Sequence, residues 1–202
     1  FRRVLFRSIV IVGGGSAGWM TASTLIKAFP NKKITLVESP SIGTIGVGES
    51  TTQIIRRWLS FLEIEDNEWM PYCDATYKYS VKFTNFNTKT SFHYPFGNPE
   101  SEIPMHEWFI YKSFMGESAV AFDHVFWRYM DAIENSKYLP KDYTKSNSGF
   151  HFNALKFAEW LKNNYAIPRG VNHIVGTVKE IKQKENGFLE SIKLDTNITI
   201  ES

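Results

Sequence analysis

The chain has 202 residues, a net charge of +2, 22% charged and 43% hydrophobic residues. That is the balance of an ordinary folded domain, and so small a charge gives no electrostatic reason for a nucleic-acid or membrane partner. Cys73 is the single cysteine, which excludes an internal disulfide and suits a reducing, cytoplasmic compartment; no apolar run approaches the roughly 18 residues of a membrane span.

Phe1–Ser8, "FRRVLFRS", resembles the start of a secretory signal only in its arginines, since no apolar region or cleavage site follows, and it is not expected to be one. Phe1–Arg7 match the translation of a sequencing adapter, and residues 1–8 are expected to be a non-native leader. Ile9–Val12 is a short β-branched run, the pattern of a strand buried on both faces. "GGGSAG" follows at Gly13–Gly18, then "WMTASTLIKAF" predicts a helix with Met20, Leu25, Ala28 and Phe29 inward, stopped by Pro30 and Asn31. "KITLVE" returns as a second strand ending at Glu38, completing a parallel βαβ unit.

A second glycine-rich loop occupies Gly43–Thr52, and "TTQIIRRWLSFL" then predicts a helix with Ile54, Ile55, Trp58, Leu59 and Leu62 on one face and Thr51 or Thr52 as its cap. "ATYKYSVKFTNF" alternates, with Tyr77, Tyr79, Val81 and Phe83 opposite Lys78, Ser80, Lys82 and Thr84. "SFHYPFG" predicts a strand end and turn. Met105–Ile133 is aromatic-rich and expected to be helical in pieces, and "NALKFAEWLKNNY" predicts a helix capped by Asn153. From Val171 short strands follow, with turns at Glu185–Gly187 and Thr196–Asn197. "LDTNITIES" then stops on a strand pattern, so an incomplete C-terminus and a longer parent protein are expected.

Gly13, Gly15 and Gly18 fit G-x-G-x-x-G between a strand and a helix. In that pattern Gly13 permits the tight turn, Gly15 admits a pyrophosphate to the backbone, and Gly18 lets helix and strand pack closely. Ser16 and Ala17 open the helix, whose free N–H groups and dipole favour phosphate. Glu38 stands where a carboxylate accepts adenosine ribose hydroxyls. After Glu38 the chain leaves on a long aromatic excursion rather than a third crossover. The expectation is α/β: a Rossmann-like FAD-binding domain of the glutathione-reductase or flavin-monooxygenase type, residues 9–50 and 171–202, with 51–170 an inserted, largely helical substrate segment.

"GGGSAGWMTA", "IGVGEST", "EWMP" at Glu68–Pro71, "VKF" at Val81–Phe83 and "FHYPFG", in this order, resemble the flavin-dependent tryptophan halogenases from about Ile9 to the end. The resemblance implies that Gly46, Val47, Gly48, Glu49 and Ser50 contact the flavin and that Lys82 is catalytic. It implies that Phe96 stacks on an arene with His93 or Tyr94 beside it, and that Val178 touches the adenine side. The implied cofactor is FAD as FADH2, with halide and dioxygen as co-substrates. Hypohalous acid would reach the lysine and halogenate an electron-rich arene such as tryptophan or indole. A separate flavin reductase, a small aromatic substrate and a homodimer are the implied partners, and the isolated fragment is expected to be inactive. The W-x-W-x-I-P signature, a later glutamate and a halide loop would lie beyond residue 202. By pattern alone Lys82 is a solvated strand lysine, Glu49 a helix-start carboxylate, and Gly43–Thr52 an ordinary β-to-α loop. An aromatic hydroxylase and a non-catalytic dinucleotide-binding module therefore stay open as alternatives. The five histidines show no metal-ligand spacing, and no metal is expected.

Overall fold

The computed structural model describes residues 8–43, 48–86, 91–116 and 119–201; Phe1–Arg7, Gly46 and Val47 lie outside them. The chain divides into two units. One holds the residues up to Glu49, Leu62–Ala75 and everything from Phe152 on; the other holds Ser50–Phe61 and Thr76–His151.

In the first unit, β1 (Ser8–Val12), α1 (Ser16–Ala28) and β2 (Lys33–Glu38) form the expected parallel unit, and Ser8 opens β1 opposite Lys33. The sheet order is β1-β2-β8, with β8 (Asn172–Val175) parallel to β2 and Leu36 opposite His173. Ile34, Leu36 and Val37 are buried, as a strand covered on both faces requires. The inward face of α1 differs from the expectation: Trp19, Ala22, Ser23 and Ile26 are buried, whereas Ala28 and Phe29 are exposed. Close packing at Gly18 sets the helix rotation, and the buried positions follow it at helical spacing.

Residues 62–75 and 152–170, placed by sequence in the insertion, cluster with this first unit. Trp69, in α3 (Asp66–Trp69), is fully buried against the rings of Phe152 and Phe157 at 5.7 and 4.9 Å. Asn153 caps α8 (Ala154–Trp160), its Oδ1 accepting from the N–H groups of Leu155 at 3.1 Å and Lys156 at 3.2 Å. The helix runs on as a π-helical turn, Leu161–Ala166, then a 3-10 turn that ends at left-handed Gly170. An antiparallel sheet, β9 (Val178–Gln183), β10 (Leu189–Leu194) and β11 (Thr199–Glu201), follows with turns where expected.

The second unit breaks the expected strand at Tyr79. β4 (Thr76–Lys78) pairs antiparallel with β7 (Gly149–Asn153), whereas β5 (Ser80–Thr84) pairs with β6 (Ser91–Pro95). Tyr79 itself accepts a hydrogen bond from the Phe96 N–H at 2.8 Å. β3 (Gly48–Ser50) ends at the start of this unit, and α2 (Ile55–Leu62) buries Ile55 and Leu59 but leaves Ile54 exposed. Thr51 does not cap α2 with its side chain, since Thr51 Oγ1 accepts from the Phe150 N–H at 3.0 Å. The aromatic stretch is helical in pieces, α4 (Met105–Met115), α5 (Phe122–Phe126) and α6 (Met130–Glu134), followed by α7 (Lys141–Asn147). Arg56 binds Ser148 Oγ while its guanidinium lies 4.4 Å from the Phe150 ring centroid.

Candidate functional site

A cleft of about 440 Å³ opens at the carboxyl ends of β1 and β2, lined by Gly13, Gly14, Gly15, Glu38, Gly176 and Val178 among others. Ligands of open α/β sheets bind at this end. Val12 and Ile42, both exposed, add apolar wall. Gly13 has φ +118° and donates to the Val37 carbonyl at 2.9 Å, which closes the turn. A Cβ on Gly18 would lie 1.9 Å from the Gly13 carbonyl oxygen, so only glycine lets helix and turn approach this closely. A Cβ on Gly14 would lie 2.2 Å from Glu38 Cδ: the carboxyl group rests directly on Gly14. The first turn of α1 has no acidic residue and no side-chain cap, leaving its N–H groups for an anion. Ser16 Oγ instead donates to the Ala154 carbonyl at 3.2 Å, and Ala17 is exposed. Glu38 Oε2 accepts from His173 Nε2 at 2.8 Å and from Lys162 Nζ at 3.3 Å. A bare backbone cradle, open helix N–H groups and a strand-end carboxylate together fit the ADP half of FAD.

In the second unit, a cavity of about 440 Å³ is lined by Tyr77, Lys78, Tyr79, Ser80, Tyr138 and His151 among others. Lys78 Nζ donates to Ser50 Oγ at 3.1 Å and lies 5.6 Å from the Phe96 ring centroid. Lys82 is exposed on the β5–β6 hairpin opposite His93 and lines neither cavity. Phe96 is buried and Tyr94 exposed. His93 Nδ1 shares a hydrogen bond with Ser80 Oγ at 2.9 Å, and its Nε2 is 3.6 Å from Glu134. His124 sits in the same carboxylate group, 3.1 Å from Asp123 and 3.3 Å from Glu134. Burial pulls its pKa down, but those carboxylates outweigh burial and leave it above the usual imidazole value. Burial pushes the Cys73 thiol up to about 12, so it is no nucleophile. Gly48, Glu49 and Ser50 form exposed β3.

Among the residues at these sites, Gly14, Lys78, Lys162 and His173 were not singled out from sequence. His173 had a legible signal, because a strand parallel to β2 with His173 opposite Leu36 puts it on the face of Glu38, two residues on.

The parallel βαβ unit, its glycine turn and the strand-end acid define a Rossmann-like dinucleotide-binding module. The family model described as tryptophan halogenase matches residues 8–202, and the chain belongs to that family, whose Rossmann-like fold binds FAD. It is 35% identical over 209 residues to tryptophan 6-halogenase ThaL of Streptomyces albogriseolus, covering 93% of this chain and 39% of ThaL. It is 34% identical over 210 residues to tryptophan 7-halogenase RebH of Lentzea aerocolonigenes, again covering 93% of this chain and 39% of that protein. The apo structure of VirX1 matches with a TM-score of 0.90 and 33% identity, over 98% of this chain and 41% of VirX1. The chain spans about two fifths of the length of these relatives. Among the described residues no helix is long and apolar enough to cross a membrane.

Proposed function

We propose that the chain supplies the FAD-binding and amine-bearing part of a halogenase acting on an electron-rich arene such as an indole, with reduced flavin delivered by a separate reductase. The supporting observation is the Gly13–Gly15 cradle with Glu38 resting on it, in a chain of the tryptophan halogenase family. When bound, reduced FAD supplies the two electrons with which dioxygen and halide give hypohalous acid and water. The residues of the cradle hold the diphosphate against bare backbone, the first turn of α1 donates N–H groups to it, and Glu38 accepts from the ribose hydroxyls.

The amine we assign to the oxidant is Lys78 rather than Lys82. An ammonium that must hold a reactive acid beside an arene needs walls that exclude bulk water. Lys78 is half-buried beside Tyr77, Tyr79 and His151 of its cavity, which would close further around a bound arene, while Lys82 is exposed. Its N–H donors would orient the hypohalous oxygen, with Ser50 holding the amine until that oxygen arrives.

In a family-length form of the protein given reduced flavin, dioxygen, halide and an indole, Lys78→Ala should still consume reduced flavin yet lose haloarene by about 100-fold or more. Lys82→Ala should halogenate at near wild-type rate. The reverse pattern would return the role to Lys82, and loss in neither variant would remove the amine from the mechanism.

A further inference from the structure

Among the described residues Glu38 is the one carboxylate lining the dinucleotide cleft, and it is not left to find its own geometry. His173 reaches it from β8 and Lys162 from the π-helical turn, both ending on the same oxygen, Oε2, at 2.8 and 3.3 Å. With Oε2 taken by two donors, the carboxylate is pinned by one oxygen, and Oε1 is left toward the Gly14 side of the cleft, where a Cβ would lie 2.3 Å from it.

The cluster has a common floor. Trp19 of α1 is buried, the His173 ring meets it edge-on with centroids 5.3 Å apart, and Lys162 Nζ stands 5.6 Å from its ring centroid. The side chains of Glu38, Lys162 and His173 are 26%, 28% and 14% exposed, so these contacts are screened less than a surface ion pair. Lys162 owes its place to unusual backbone. Six residues of π-helix, Leu161–Ala166, carry it, and π geometry is rare and recurs at functional sites.

We infer that Lys162 and His173 are positioning residues that act through Glu38: they fix the rotamer of its carboxylate so that Oε1 meets the adenosine ribose diol of the bound dinucleotide. The inference rests on the cofactor reading above. Because the rotamer is set before binding, the ligand does not bear the cost of ordering the side chain.

The test is FAD affinity of a family-length form of the protein, followed by quenching of flavin fluorescence, with melting temperatures to certify the fold. Lys162→Met and His173→Asn should each weaken FAD binding by about five- to twentyfold, and Lys162→Arg should restore most of it. On a Glu38→Gln background the same substitutions should cost less than about twofold, since the group they position is gone. Equal losses with and without Glu38→Gln would show that Lys162 and His173 act directly on phosphate or on the fold, and would overturn the inference, as would no loss at all. Absence of FAD binding by the wild-type family-length form would overturn the cofactor reading itself, a result distinct from either.

Discussion

Gly14 lies just before α1 and Gly18 within its first turn, four residues apart, and the structure asks different things of them. At Gly14 the atoms nearest an added Cβ belong to the Glu38 side chain, with Cδ at 2.2 Å. Gly14→Ala should therefore push the carboxylate off His173 and Lys162, weaken FAD binding about tenfold, and lower the melting temperature less than Gly18→Ala does. At Gly18 the Cβ would meet the Gly13 backbone oxygen at 1.9 Å, and no rotamer change relieves that. Gly18→Ala should cost about 1–3 kcal/mol of stability in urea unfolding. His124 offers a third test. Its folded pKa lies above the ordinary value, with Asp123, Asp131 and Glu134 around it and His93 across Glu134. A raised imidazole contributes stability fully present below its unfolded pKa of about 6.5 and lost as pH rises through the folded value. Urea midpoints of the wild type minus those of His124→Gln should thus be largest near pH 6 and shrink above it. His151, whose pKa burial and the Lys78 charge depress, runs the opposite way but is common to both proteins and cancels.

Among the elements, α8 begins on a side-chain cap, because Asn153 supplies an acceptor to two N–H groups that nothing else in the helix satisfies. Asn153→Ala should lower stability by about 1 kcal/mol, seen as a lower melting temperature with unchanged secondary structure. That cap was legible in sequence, as were β1, the glycine turn, β2 and the terminal hairpins, since each rests on local chemistry that its own residues carry. The strand expected through Tyr79 was not. Alternation continues unbroken across that residue, and only the partners, β7 on one side and β6 on the other, decide that the ladder changes there. The same break separates Lys78 from Lys82, which share one alternating face in sequence but belong to different ladders. The π turn was beyond reach as well. "LKNNY" continues the helical pattern of "NALKFAEW", and the extra residue per turn is a consequence of packing rather than composition.

At the scale of the whole molecule, the chain passes between its two units after Glu49, Phe61, Ala75 and His151, so neither unit is a continuous stretch of sequence. The first unit depends on this most: Glu38 and His173 are separated by 135 residues, and β8 is the third strand of a sheet whose other two are made within the first 38 positions. Chains ending just before Asn172 should be cleaved rapidly within residues 8–43 by a low level of protease, whereas chains that include β8 should resist. Comparable resistance of both would mean that β1, α1 and β2 stand without their third strand. The consequence reaches back to synthesis. A ribosome adding 5–20 residues per second needs roughly 7–27 s to travel from β2 to β8, and for all that time β2 shows an open edge. The nascent chain is committed to its nucleotide fold only near the end of this stretch. Chaperones guarding that interval would find the exposed strand long before its remedy has been translated.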